Sequence, residues 1–156
     1  MDHSAQVSTE KGIILAIDYG QRRTGLARSD AGRAVAFGLS TFVDSHGAGL
    51  RDHLRSMHAD EPITGVVIGL PLNMDGTGNG LTARVRDLAA WIRSEMGLPV
   101  ALWDERLTSA EAAEMLREAP ARIRRQKGSV DRIAAQIILR EFLAAGCPFP
   151  ADAETG

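Results

Sequence analysis

The sequence predicts an α/β domain built on a mixed sheet flanked by helices. Three observations carry that prediction. Short apolar runs rich in β-branched residues stand at Ile13 to Ile17, Ile63 to Leu70 and Val100 to Trp103. Apolar faces of helical period lie between and after them. The chain has 156 residues with 44% apolar and 24% charged side chains, which suits one packed domain rather than a disordered chain or two catalytic lobes.

Taken in order, Ile13 to Ile17 is a buried central strand closed by Asp18-Tyr19-Gly20. Thr24 to Ser29 and Val35 to Phe42 make two further strands across the turn-like Asp30-Ala31-Gly32-Arg33, an antiparallel meander. Leu50, Leu54 and Met57 recur at helical spacing before Glu61-Pro62 interrupts them. Ile63 to Leu70 is then a second buried strand around Val66-Val67-Ile68. Leu81, Val85, Leu88, Ala89, Ile92 and Met96 mark one face of a single helix that Gly97 and Pro99 stop. Val100 to Trp103 is a short strand ending in Asp104-Glu105-Arg106. Thr108-Ser109-Ala110-Glu111 has the form of a capping box, and Pro120 closes the helix it opens. Val130, Ile133, Ile137 and Phe142 predict a last amphipathic helix with Ser129 as its N-cap. The expected organisation is a disordered extension over residues 1–11, one domain over 12–146, and a frayed tail over 147–156.

Charge and cysteine content narrow the function classes. Eighteen Lys and Arg against 20 Asp and Glu leave a net charge of −2, so an anionic partner must be met by local basic patches. The single cysteine, Cys147, excludes an intrachain disulfide framework, no Cys/His cluster has zinc spacing, and a reducing cytoplasmic setting fits. No apolar run approaches the ~20 residues of a membrane span. His53 and His58 on the first helix are expected to face solvent.

Acidic residues at the carboxyl ends of buried strands stand where ligands collect in α/β sheets, and Asp18 and Glu105 both occupy such positions. Singly, each has a structural explanation: Asp18 in its own turn, Glu105 paired with Arg106, and Asp131 complementing a helix dipole. Together they mean more, because Asp131 precedes the small Ala134 and Ala135, which let its helix approach the sheet. Three convergent carboxylates need a cation. Mg²⁺ or Mn²⁺ takes carboxylate oxygens, and a pair of such ions ~4 Å apart suits phosphodiester hydrolysis. Arg22 and Arg23 follow Asp18, and Arg124, Arg125 and Lys127 precede Asp131, placing cations for a phosphate backbone beside the acids. Aromatics are sparse there, so backbone contact is expected over base readout. Gly69 to Gly80 reads as a long flexible connection lining the same edge, without the Gly-Lys-Ser/Thr of a Walker loop.

Four motifs in this order carry a family resemblance: Ile17-Asp18-Tyr19-Gly20, Gly69-Leu70-Pro71-Leu72-Asn73-Met74-Asp75-Gly76, Asp104-Glu105-Arg106-Leu107-Thr108, and Lys127-Gly128-Ser129-Val130-Asp131 with Ala134-Ala135. The chain resembles the YqgF/RuvX family, the Holliday junction resolvase-like pre-16S rRNA nucleases, from about Gly12 to Ala145. The resemblance implies a ribonuclease H-like fold, a five-stranded mixed sheet with helices on both faces. It implies a Mg²⁺- or Mn²⁺-dependent nuclease maturing the 5′ end of 16S rRNA, with Asp18, Glu105 and Asp131 as catalytic metal ligands and Arg23 and Lys127 on flanking phosphates. Related resolvases carry their second acid on the fourth strand, where this chain has Gly69-Leu70-Pro71. In that fold the strand bearing Glu105 lies two steps, ~10 Å, from the first, so only a long side chain reaches a metal shared with Asp18. Asp75 and Asp104 stand as alternative ligands. The implied partner is pre-16S rRNA or branched DNA, with no membrane, and the chain is expected to be a monomer or weak homodimer. The competing readings are a DNA junction resolvase and a non-catalytic RNA- or transcription-complex-binding module. An ATP-dependent phosphotransferase needs two such domains, which the length disfavours.

Overall fold

In the computed structural model, which describes residues 11–43, 49–105, 114 and 129–150, the apolar runs become the middle of a sheet. The elements are β1 (Ile13–Asp18), β2 (Arg23–Ser29), β3 (Ala36–Gly38), β4 (Phe42–Val43), α1 (Gly49–Asp60), β5 (Ile63–Leu70), α2 (Gly80–Trp91), β6 (Val100–Asp104) and α3 (Ser129–Ala144). Side chains of α3 are described from Ile133 onward. The strand order is β3-β2-β1-β5-β6, with the two-residue β4 also paired to β2. β1 runs antiparallel to β2 and parallel to β5, which in turn runs parallel to β6. This is the mixed sheet expected from the sequence.

Central β1 and β5 are covered on both faces, which is why they read as unbroken apolar runs instead of alternating ones. On one face Leu15, Ile17, Leu26 and Ile68 pack with Leu54 of α1 and Val85 of α2. On the other, Ile14, Ala16, Ala27, Val67 and Ala101 lie under α3, which contributes Ala135, Ile138, Leu139 and Phe142. The alanines on this second face let α3 lie close to the strands.

The elements and their ends differ from the sequence reading in several places. The third predicted strand is two short ones, because Leu39 and Phe42 both pack on the α1 side. Residues three apart fall on opposite faces of a continuous strand, so the chain must break between them. The helix predicted through Met96 is α-helical only to Trp91 and then widens into a π turn, Ile92–Met96, that ends at left-handed Gly97. Ile92 stays buried, so the apolar period hides the change. The two helix histidines are engaged: His53 stacks on Phe42 with ring centroids 4.7 Å apart, and His58 Nδ1 accepts the Ile63 N–H at 2.9 Å. Lastly, the chain does not leave the fold at Pro148. Gly146 and Cys147 close α3 with bonds from Gly146 N to Leu143 O and Cys147 N to Phe142 O, both 3.0 Å. Phe149 then returns to the sheet over Gly65 and meets Phe142 edge-on. The predicted helix from Thr108 to Pro120, the basic run Arg124, Arg125 and Lys127, and residues 151–156 fall outside the described residues, apart from Glu114.

Candidate active site at the carboxyl edge of the sheet

Parallel β1, β5 and β6 end along one edge, and strand alternation decides which of their last residues share a face. Ile14 and Ala16 lie under α3, so Asp18, two residues on, belongs to that face. Val67 puts Gly69 on it by the same count, and Ala101 and Trp103 put Glu105 there. Asp18 follows the Ile17–Ile68 pair and Gly69 follows Ile68, so the two stand at the same height on adjacent strands.

Glu105 is the residue after β6, and its side chain folds back across the end of β5 to lie on Gly69. It thereby spans one of the two strand spacings, ~5 Å, that separate β6 from β1. Ile138 of α3 touches the same spot. From there α3 runs back over the sheet, since Phe142 packs on Phe149 and Phe149 lies on Gly65, four residues earlier in β5. The start of α3 is therefore directed at the carboxyl edge. Asp131, in its first turn, is four residues before buried Ala135 and seven before buried Ile138, the spacing of one helix face.

Arg23 opens β2 two residues before Gly25, the partner of Asp18, and so shares the face of Asp18. The chain turns back that fast because position 20 is glycine: a Cβ there would collide with the Arg23 carbonyl. Arg23 is half-buried and Arg22 exposed.

The other acids are arranged differently. Asp104 alternates with Trp103 and falls on the α2 side with Leu102. Asp75 is exposed and its Oδ1 accepts from Thr77 N (3.0 Å) and Thr77 Oγ1 (2.7 Å). The surrounding connection is tied down, contrary to the flexible loop expected. Asn73 bonds to Thr77 and accepts from Asn79, which caps α2 reciprocally with Thr82.

The site is thus an edge where two carboxylates, one of them laid over a glycine, share a face with an arginine and the start of a helix bearing a third acid. Its donor set is carboxylate oxygen, the chemistry of hard divalent cations. Among the described residues no group of three His, Cys, Asp or Glu side chains could hold a metal ion, and the Asp131 side chain is not one of those described. Glu105 lying on Gly69 brings a carboxylate over the strand that separates β6 from β1, on the face of Asp18, and the two acids would suit a hard divalent cation. The residue that sequence reasoning missed is Gly69. Its signal was a glycine near the end of a strand, where glycine marks a close approach.

Residues 12–145 match the RuvX family, described as Holliday junction resolvase. The chain belongs to the RuvX family. Its relatives include a protein of Koribacter versatilis, 42% identical over 87% of this chain and 89% of that one, and a protein of Maridesulfovibrio salexigens, 37% identical over 84% and 97%. Both bear the name "Putative pre-16S rRNA nuclease". Among solved structures, RuvC of Thermus thermophilus in complex with a Holliday junction substrate superposes with a TM-score of 0.57 at 18% identity, covering 89% of this chain and 99% of that one. That likeness places this RuvX-family chain in the ribonuclease H-like resolvase fold.

Proposed function

We propose that this RuvX-family chain is a Mg²⁺- or Mn²⁺-dependent nuclease that hydrolyses phosphodiester bonds in maturing the 5′ end of the 16S rRNA precursor in the cytoplasm. The observation that carries the reading is the Glu105 carboxylate laid over Gly69, on the face and edge where Asp18 ends β1. The names of the relatives supply the substrate class. Among the described residues no helix is long and apolar enough to cross a membrane.

In this reading Asp18, Glu105 and Asp131 are the metal ligands. A divalent cation held by them would supply charge neutralisation at a phosphate and a lowered pKa for a bound water. The protein groups do the rest. Asp18 ends a paired strand and Glu105 follows the last paired residue of β6, so their backbone positions need little ordering when substrate binds. Arg23, on the same face, donates to the oxygens of a flanking phosphate and orients the chain being cut. Arg22, Arg124, Arg125 and Lys127 extend the contact along the backbone.

The test is cleavage of an end-labelled 16S precursor RNA, with a four-way DNA junction in parallel, in Mg²⁺ or Mn²⁺ and in EDTA. RNA cleavage that EDTA abolishes supports the reading. Metal-dependent cleavage of the junction at paired sites would establish instead the resolvase activity that the family description names. Metal-independent binding with neither substrate cut would make the chain a binding module. Arg23→Gln is expected to weaken RNA binding by a similar factor for unrelated sequences and to lower the slope of log K against log salt by about 1, as a phosphate contact requires. A sequence-selective loss would assign Arg23 to base readout.

A further inference from the structure

Resting on that reading, we infer that Gly69 is a positioning residue: its missing side chain is the opening through which Glu105, from the far strand, reaches the metal site beside Asp18. A Cβ at position 69 would stand 2.5 Å from Glu105 Oε2, 2.8 Å from Glu105 Cγ and 2.8 Å from Ile138 Cδ1. Real Cβ contacts are not that short, so even a methyl group must move the carboxylate. Backbone conformation does not ask for glycine here. The glycines with positive φ among the described residues are Gly12, Gly76, Gly97 and Gly146, and Gly69 is not among them. Inside a central strand glycine also weakens the element it sits in, through extra unfolded-state freedom and a lost side-chain contact. Space is the remaining reason for it, and the side chain occupying that space is an acid.

The arrangement explains how acids on non-adjacent strands can serve one cation. Between β1 and β6 stands β5, and any side chain on the α3 face at the height of Asp18 would wall the two acids apart. Gly69 removes that wall, and the two methylenes of glutamate cover the distance that aspartate would not. Ile138 Cδ1 bounds the same space from the helix side.

The experiment reads metal binding directly, by titrating Mn²⁺ into the full chain and following free Mn²⁺ by electron paramagnetic resonance, with a thermal melt of each variant. Gly69→Ala is expected to weaken Mn²⁺ binding tenfold or more, as loss of ligand orientation does elsewhere. In a Glu105→Gln background the same substitution should cost nothing further, since the carboxylate it displaces is already gone. Adding Ile138→Val to Gly69→Ala removes the Cδ1 contact and should leave the defect in place. Glu105→Asp, which keeps Gly69 and the charge but shortens the reach, should weaken binding in a chain whose fold is untouched. Wild-type affinity in Gly69→Ala or in Glu105→Asp, additive losses in the double variant, or rescue by Ile138→Val would each overturn the inference while leaving Asp18-dependent binding standing. Binding that is absent from the wild type, or indifferent to Asp18→Asn, would remove the metal site itself.

Discussion

Asp18→Asn is expected to lower the rate of metal-dependent cleavage by at least about 10²–10³-fold, the usual cost of deleting one preorganised electrostatic group. Asparagine is isosteric, and the pairing of β1 with β2 and β5 runs through main-chain atoms, so the strand should form as before. The substitution keeps the size of the side chain, so without metal the melting temperature should stay close to that of the wild type. Loss of activity with stability retained is the signature of a residue that acts in the reaction rather than in the fold. Single-turnover cleavage and a thermal melt on the same preparations check it. A parallel fall in both would mean that Asp18 is a structural turn residue.

The largest expected effect on stability is at Phe142. Its side chain is fully buried and meets two aromatic rings edge-on, Trp103 at 5.8 Å and Phe149 at 5.1 Å between centroids. Truncation to alanine leaves a cavity between α3 and the sheet and should cost about 3–5 kcal/mol, a large share of the about 5–15 kcal/mol available to a domain. A urea titration would show it as a lower midpoint with an unchanged slope. Phe149→Ala should cost less, since Phe149 is only half-buried, and the double variant should cost less than the sum because the two rings share one contact.

Much of the fold was legible because its determinants are local. Ile63 to Leu70 is a strand over the residues read from its apolar run, and the starts of α1, α2 and α3 follow their periodic faces. The misses come from tertiary choices that propensity does not record. Leu39 and Phe42 select the same face across a break, Ile92 keeps its place while the helix around it widens, and Phe149 finds a partner beyond a helix stop signal. At the site, the positions of Asp18 and Glu105 at strand ends could be read from sequence, and alternation then separates Asp104 from them. The relation of Glu105 to Gly69 could not, since it depends on a side chain crossing a neighbouring strand. From sequence, Gly69-Leu70-Pro71 looks like a missing acid; in three dimensions the empty position makes room for one.

The helix that covers β1 and β2 comes late in the chain. Gln136 donates to the Ala36 carbonyl at 3.1 Å across 100 residues of sequence, and buried Ala16 and Ala27 wait under α3 for Ala135 and Leu139. Closing so long a loop is entropically unfavourable until the contacts it permits are made, so this half of the core should assemble late and set the folding rate. As the polypeptide emerges from synthesis, the meander and α1 can pair and pack while the opposite face of the sheet stays bare. A nascent chain at that stage presents apolar strands to its neighbours, which makes aggregation, chaperone demand and sensitivity to truncation before Ser129 properties of its topology.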